Sequence, residues 1–174
     1  MRRHQPRRLV GVDLSGEGGG VLSEAPCDSG AVVQAGAGGG AAVREGEFDV
    51  VLNVEAAMNY GSVPRFAGEV HRVLREEGRF LFADQCATGD VGRLREELCW
   101  PGFEIVSERD ITENVVRALE ESSEVTGRII DARVPRGLRG VVKEMAGVRG
   151  SLVYRRFASG KLRYLCLALR RGGG

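Results

Sequence analysis

The chain has 174 residues, of which 43% are hydrophobic and 28% are charged. These proportions are typical of a soluble globular protein with one substantial core, and they exclude a largely disordered chain. The 25 basic and 24 acidic residues nearly cancel, so the overall charge gives no indication of a nucleic-acid partner. No apolar run approaches the length of a membrane span, and the sequence predicts a cytoplasmic protein.

The first eight residues, MRRHQPRR, are basic, and no apolar stretch of signal-peptide length follows them. We therefore predict that residues 1–8 form a solvated basic arm. The four cysteines form no C-x-x-C pair, and the two histidines are far apart in the sequence. This pattern predicts free cysteines and no metal site.

The stretch LVGVDLSGEGGG, residues 9–20, joins a short apolar run to an acidic residue and then to glycines. It is compatible with the first strand and glycine loop of a nucleotide-binding fold, or with a second strand that ends in an acid. Residues 16–46 are rich in glycine and show no helical stripe, which predicts a poorly ordered segment. Within it, GAVVQAG is compatible with one short strand.

From Phe48 onward, strands and helices alternate. FDVVLNV is a β-branched apolar run typical of a parallel strand buried on both faces. The next segment predicts a helix with Ser62 as its cap, Pro64 in its first turn and Gly78 at its end. RFLFAD then predicts a second buried strand.

The rest of the chain continues the alternation. We predict a helix at VGRLREELCWPGF with Asp90 as its cap, a strand at FEIVSERDI, helices at ENVVRALEESSEV and RGLRGVVKEMAGV, and a final strand centred on YLCLAL. Alternating strands and helices indicate an α/β fold with a mainly parallel sheet, in which the last strand is antiparallel. We predict that residues 1–174 form a single domain.

The segment FDVVLNVEAAMNYGSVPRFAGEVHRVLREEGRFLFADQ, residues 48–85, carries a resemblance to a known family. It resembles the class I S-adenosylmethionine-dependent methyltransferases, and more narrowly the group typified by the phthiotriol/phenolphthiocerol dimycocerosates methyltransferases and the rifamycin-type O-methyltransferases. The resemblance extends over roughly residues 48–170, with an island at residues 9–15. It implies a Rossmann-like methyltransferase fold and S-adenosylmethionine as the cofactor.

The resemblance favours the second-strand interpretation of residues 9–20. In this family the second strand ends in an acid that holds the ribose hydroxyls, and Asp13 resembles that acid. Asp13 and Asp49 are 36 residues apart, which suffices for one crossover, one strand and a loop. If residues 9–13 were the first strand, two more strands and two helices would have to fit before FDVVLNV, and 36 residues cannot hold them. The interpretation implies an N-terminally incomplete fold with an exposed sheet edge, through which two chains could form a homodimer.

The resemblance also implies the site residues. Asp13 and Leu14 would bind the ribose and adenine side of the cofactor, and Asn53 and Val54 its methionine side. Glu55 and Tyr60 are the candidate catalytic residues. Asp13 and Glu55 are also compatible with turn or helix-cap roles, and Leu14 and Tyr60 with packing in the core.

Two departures from the family pattern bear on activity. Met58 stands where family members commonly have a histidine that is a natural general base, and His71 is predicted at the surface of a helix. Gly36 falls near the place of an aspartate that recognises adenine. The leading hypothesis is therefore methyl transfer to a hydroxyl of a hydrophobic small molecule, such as a lipid or polyketide. The alternative is a catalytically inactive, truncated remnant that acts as a binding module.

Two further predictions concern other parts of the chain. The segment 112–148 is predicted to be a helical substrate cover whose apolar residues line a pocket or pack on the sheet. The glycines GEGGG at residues 16–20 would suit a nicotinamide-dependent oxidoreductase, but no second ribose acid follows about 20 residues later. A nicotinamide cofactor is therefore disfavoured.

Overall fold

The computed structural model describes residues 9–13, 23–24, 31–35, 43–57 and 61–172. The chain divides into two compact units, residues 1–44 and residues 45–174. The predicted site residues Leu14 and Tyr60, and the predicted basic arm at residues 1–8, lie outside the described residues.

The first unit contains a sheet of three strands: β1 (Leu9–Asp13), β2 (Ser23–Glu24) and β3 (Ala31–Ala35). Their order is β1-β3-β2. β1 is parallel to β3, with Asp13 opposite Ala35, and β2 is antiparallel to β3. The strand expected in GAVVQAG is thus β3, and its parallel pairing with β1 requires the crossover that the spacing predicted.

The second unit contains a sheet of four strands: β4 (Phe48–Val54), β5 (Leu74–Ala87), β6 (Phe103–Asp110) and β7 (Leu162–Arg171). Their order is β4-β5-β7-β6. β4 and β5 are parallel, whereas β7 is antiparallel to both β5 and β6. The predicted antiparallel last strand is confirmed, and it lies inside the sheet, between β5 and β6.

Five α-helices accompany these strands: α1 (Val63–Val73), α2 (Val91–Cys99), α3 (Thr112–Arg133), α4 (Arg139–Met145) and α5 (Leu152–Ala158). The first four were expected from the sequence, and α5 was not. α5 has a cap of its own, because the Ser151 side chain accepts a hydrogen bond from the backbone N–H of Tyr154 at 3.1 Å. No helix in the described part of the chain is long and apolar enough to cross a membrane.

The start of α1 follows its sequence signals, and its end does not. The Ser62 hydroxyl caps the helix by accepting a hydrogen bond from the backbone N–H of Arg65 at 3.4 Å. The prediction that α1 ends at Gly78 was wrong, because α1 ends at Val73 and β5 begins at once. Gly78 instead allows the backbone of β5 to lie close to the carbonyl oxygen of Arg75, because a Cβ at this position would be only 2.7 Å from that oxygen.

The core lies on one face of the four-stranded sheet. Phe80 and Phe82 of β5 are buried there with three leucines of β7, and α1 and α2 pack over them. The ring of Phe80 contacts the rings of Phe66, Phe82 and Phe103 at centroid distances of 5.5 to 5.9 Å. Burial of this much aromatic surface is a main source of stability for the unit.

The opposite face of the sheet is covered unevenly. Near β7 it is covered by α3 and α5, where Val115, Val116 and Leu119 pack around Phe157 and Tyr164. Near β4 the side chains of that face are exposed, and Leu52 is 66% exposed. Among the described strands, β4 is also the terminal strand of this sheet.

The segment 112–148 is helical, as predicted, but its apolar residues behave differently in its two halves. Those in the first half of α3 pack toward the sheet, which agrees with the packing interpretation. Several in the second half are exposed to solvent: Ile129, Leu138, Val141 and Met145. These side chains do not line an enclosed pocket among the described residues.

Candidate active site

The candidate site lies at the carboxyl ends of β4 and β5, which are adjacent because the two strands are parallel. Asn53 of β4 lies opposite Phe82, and Asp84 is two residues further along β5. Asn53 and Asp84 are both buried. Open α/β sheets bind ligands at this edge, so buried polar side chains here are candidates for binding or chemistry.

Asp84 is the centre of a hydrogen-bond network. Its carboxylate accepts hydrogen bonds from the backbone N–H of Ala57 and of Gln85, each at 2.8 Å. Burial raises the pKa of Asp84 above its ordinary value, and the negative charge of Glu55 raises it further. The N–H groups of Ala57 and Gln85 and the side chain of Asn53 stabilise the carboxylate, and each lowers the pKa by less than burial raises it.

Glu55 follows β4 directly in a backbone conformation that is rare for a residue with a side chain. Its φ is 51°, in the left-handed region. The backbone N–H of Glu55 still donates to the carbonyl oxygen of Ala83 at 2.9 Å, so the chain turns immediately after the last strand hydrogen bond. Such strain is tolerated where the surrounding structure fixes the backbone, and it is common at functional sites.

Tyr164 reaches this site from β7, where its phenol interacts with the carboxylate of Glu55. Burial raises the pKa of Tyr164 well above its ordinary value, and the interactions with the carboxylates of Glu55 and Asp84 raise it further. The phenol is therefore protonated at neutral pH and can donate to the Glu55 carboxylate.

The backbone of Tyr164 is held by residues at the end of β6 and the start of α3. Its N–H donates to the hydroxyl oxygen of Thr112 at 2.9 Å, and the Thr112 hydroxyl donates to the carboxylate of Asp110. The carbonyl oxygen of Tyr164 accepts from the backbone N–H of Ile111 at 2.9 Å. The start of α3 thus holds the strand position from which Tyr164 reaches Glu55.

The structure brings together some of the predicted site residues. Asn53 and Glu55 lie in one network around Asp84, and Val54, the last residue of β4, lies between them with its side chain exposed. Asp13 is the last residue of β1 in the first unit, at the carboxyl end of a strand as predicted. Its role as a ribose ligand stays a prediction.

Two residues of the network were not identified from the sequence. Asp84 ends the predicted strand RFLFAD, a position that is compatible with a turn or with a site, and the sequence favoured the turn; Tyr164 was not singled out. The signal for Tyr164 was the alternation of apolar and other residues in LRYLCLALRR, which places it on the face opposite Leu165. The alternation alone could not show that β7 lies next to β5.

His71 differs from its expected surface position. Its ring packs edge-on against the ring of Phe103, with 5.2 Å between centroids. Partial burial lowers the pKa of His71, and the nearby charge of Arg171 lowers it further. His71 is therefore a packing residue of α1 and lies outside the Asp84 network.

The polar side chains of the network suit the methionine portion of S-adenosylmethionine. That portion carries a positively charged sulfonium and an ammonium group, and the network offers the carboxylates of Glu55 and Asp84 with the amide of Asn53. Carboxylates at a strand end are suitable acceptors for ammonium hydrogen bonds. The chemistry of these residues therefore fits the cofactor.

Comparisons with known proteins agree with this interpretation. The methyltransferase domain family matches residues 1–82. Phthiotriol/phenolphthiotriol dimycocerosates methyltransferase of Mycobacterium leprae is 34% identical over 67% of this chain and 43% of its own length. Fatty-acid O-methyltransferase of Mycolicibacterium smegmatis is 28% identical over 85% of this chain and 54% of its own length. The chain thus spans about half the length of these curated relatives.

Solved structures show the same fold. The phospholethanolamine N-methyltransferase 2 of Haemonchus contortus, in complex with S-adenosylhomocysteine, superposes with a TM-score of 0.69 at 11% identity, covering 84% of this chain and 39% of that protein. A geranyl diphosphate methyltransferase in complex with SAM superposes with a TM-score of 0.57 at 15% identity, covering 94% of this chain and 68% of that protein. S-adenosylmethionine is the cofactor that these matches indicate. By sequence and fold, the chain is similar to the class I S-adenosylmethionine-dependent methyltransferases.

Proposed function

We propose that the chain transfers a methyl group from S-adenosylmethionine to a hydroxyl of a hydrophobic small molecule, such as a lipid or a polyketide, in the cytoplasm. The observation that carries the proposal is the network of Asn53, Glu55 and Asp84 at the carboxyl ends of two parallel strands. The lipid class of the acceptor is supported by the relatives, whose names refer to dimycocerosates and fatty acids.

The proposed cofactor ligands are those that the resemblance implies. Asp13 and Leu14 are proposed for its ribose and adenine side, and Asn53 and Val54 for its methionine side. When bound, S-adenosylmethionine supplies an electrophilic methyl group on a sulfonium. Asn53 is buried beside Asp84, and its side chain stabilises the Asp84 carboxylate, so the position of the amide is restricted before any ligand binds.

Glu55 is proposed as the general base. With S-adenosylmethionine bound as the methyl donor and S-adenosylhomocysteine as the leaving group, the Glu55 carboxylate would accept the proton of the acceptor hydroxyl as that oxygen is methylated, and would release the proton to water. Tyr164, whose phenol interacts with that carboxylate, is proposed to donate a hydrogen bond to it and so to orient it. Tyr60 is proposed as a second polar group that hydrogen-bonds to the acceptor.

A second candidate function is binding without catalysis. It is favoured by Met58, which stands where the family commonly has a histidine base. In that case the site would bind the cofactor or another ligand, and Glu55 would only fix the turn after β4. The exposed edge of β4 would then serve as a contact for a second copy of the chain.

The test is a transfer assay with radiolabelled S-adenosylmethionine and a panel of hydroxylated lipids and hydroxy-fatty acids. We expect labelled product with the unmodified chain and a loss of kcat of about 100-fold or more in Glu55→Gln, the usual contribution of a general base. Glu76→Gln, at an exposed position in β5, is the matched control and retains the rate. A Glu55→Gln variant with full kcat would remove Glu55 as the base, and cofactor binding without transfer to any acceptor would favour the second function.

A further inference from the structure

The last part of the helical segment presents apolar side chains to solvent. Leu138, Val141 and Met145 are 57%, 59% and 80% exposed. Their spacing of three and four residues places them on one face of α4 and the turn that precedes it. Side chains of these types are usually buried, so an exposed stripe of them indicates an interaction surface.

Neighbouring helices add to the exposed apolar surface. Val125 and Ile129, four residues apart on α3, are both more than half exposed, and so is Leu152 at the start of α5. α3, α4 and α5 contact one another. Residues 125–156 are therefore a helical cap with six exposed apolar side chains, and we refer to these residues as the helical cap.

The charge of the helical cap is strongly biased. It contains eight arginine and lysine residues and two acidic residues, a net charge of +6 in a chain whose total is +1. The preceding residues 104–124 contain seven acidic residues and two arginines, a net charge of −5. Six arginines of the cap are exposed: Arg128, Arg133, Arg136, Arg149, Arg155 and Arg156.

We propose that the helical cap is a docking surface for an anionic lipid bilayer. Exposed apolar side chains flanked by arginines are what an interfacial surface requires, because the apolar groups enter the boundary of the acyl chains while the cations stay at the phosphates. The positive charge of the cap is complementary to anionic headgroups, whereas the remaining residues of the chain together carry a net charge of −5.

A nucleic acid is a poorer match to the same surface. Tyr154 is the one aromatic residue of the cap, and its hydroxyl donates to Glu120 at 2.6 Å. Proteins bind single-stranded nucleic acids through aromatic side chains that stack on the bases as well as through cations. The exposed side chains of Met145 and Val141 can form neither kind of contact. The apolar stripe therefore favours the bilayer.

The proposal goes beyond methyl transfer and does not depend on it. Docking requires neither cofactor nor acceptor, and it can be measured on the chain alone. If the acceptor is a lipid, docking would place the chain on the surface in which its acceptor is dissolved.

The test is co-sedimentation of the full chain with two kinds of vesicle, phosphatidylcholine alone and phosphatidylcholine mixed with phosphatidylglycerol. Two variants change the cap: Met145→Asp removes an apolar contact, and the double variant Arg133→Glu, Arg136→Glu reverses two charges. Two matched controls make the same kinds of change elsewhere at exposed positions, Val106→Asp in β6 and Arg65→Glu in α1. Circular dichroism melts check that each variant is folded.

We expect binding to the anionic vesicles, and a loss of affinity of about tenfold or more in both cap variants but in neither control. Because the first eight residues hold four arginines, an additional Arg2→Glu, Arg3→Glu variant separates their contribution from that of the cap. Any of three results would overturn the proposal: no binding to anionic vesicles, equal losses in the cap variants and the controls, or tighter binding to an oligonucleotide that Met145→Asp leaves unchanged. A concentration-dependent dimer without vesicle binding would assign the surface to a second copy instead.

Discussion

The carboxylate of Asp84 accepts a hydrogen bond from the backbone N–H of Ala57 at 2.8 Å, although the two residues are 27 positions apart in the chain. This bond ties the turn after β4 to the end of β5. The left-handed Glu55 lies within that turn, so the orientation of the proposed base depends on a buried acid in the neighbouring strand.

Replacement of Asp84 tests how much the network contributes to stability. In Asp84→Asn the side chain keeps one acceptor oxygen, so one of the two backbone N–H groups loses its partner in a buried position. We expect the free energy of unfolding in urea to fall by about 1–3 kcal/mol. The control is Asp49→Asn, which removes an exposed ion pair with Arg75 and should cost less than about 1 kcal/mol.

The raised pKa of Asp84 predicts a pH dependence with a definite sign. An unfolded carboxyl titrates near the ordinary value of 3.8, whereas the folded chain retains the proton to higher pH. Between these two pKa values the folded state binds more protons than the unfolded state, so the contribution of Asp84 to stability is full below pH 3.8 and is lost as the pH rises.

Urea unfolding of the wild-type chain and of Asp84→Asn, over a pH series that starts near 3.8, measures this contribution. The asparagine does not titrate, so the difference between the two proteins isolates the carboxyl group. We expect the wild type to lose stability relative to the variant as the pH rises. A relative gain with rising pH would mean that the folded state favours the carboxylate, contrary to the burial of Asp84.

Tyr164→Phe tests whether the phenol positions Glu55. The change removes the hydroxyl that is proposed to donate to Glu55 and keeps the ring in the core. We expect a fall in kcat of about tenfold, with little change in the KM for S-adenosylmethionine, because orientation of the base affects the chemical step more than binding.

The matched control for this prediction is Tyr154→Phe. It removes a hydroxyl that donates to Glu120 at 2.6 Å on the exposed surface of the helices. The control should leave kcat unchanged. Equal kcat values in the wild type and Tyr164→Phe, with both proteins folded, would show that Tyr164 has only a packing role.

A fourth prediction contrasts the two faces of the four-stranded sheet. Phe80 is fully buried among three other rings, and Phe80→Ala should lower the free energy of unfolding by about 3–5 kcal/mol. Leu52 is on the other face and is 66% exposed, so Leu52→Ser should change the free energy of unfolding by less than about 0.5 kcal/mol. A large loss in Leu52→Ser would indicate that this face is covered in solution, for example by a second copy of the chain.

The elements with local signals were predictable from the sequence. The strand FDVVLNV, the Ser62 cap and Pro64 at the start of α1 depend on residues within one turn or strand of each other, and all three are present. The end of α1 was not predictable, because the pairing of Phe48 with Leu74 extends the chain into β5 before Gly78 is reached. A tertiary strand pairing here overrides a local stop signal.

The candidate site shows the same limit. Asn53 and Glu55 could be predicted because they follow a recognisable strand at the edge where such sheets bind ligands. Asp84 and Tyr164 could not be assigned to the same site, since their proximity depends on the order β4-β5-β7. A sequence shows that a strand exists more readily than it shows which strand lies beside it.

The most direct measurement is equilibrium binding of S-adenosylmethionine and S-adenosylhomocysteine to the purified chain, with a thermal melt alongside and with Asp13→Ala as the site variant. We expect saturable binding, a melting temperature that rises with ligand concentration, and weaker binding in Asp13→Ala. A folded chain that binds neither ligand would contradict the proposed activity and would leave only the family's fold.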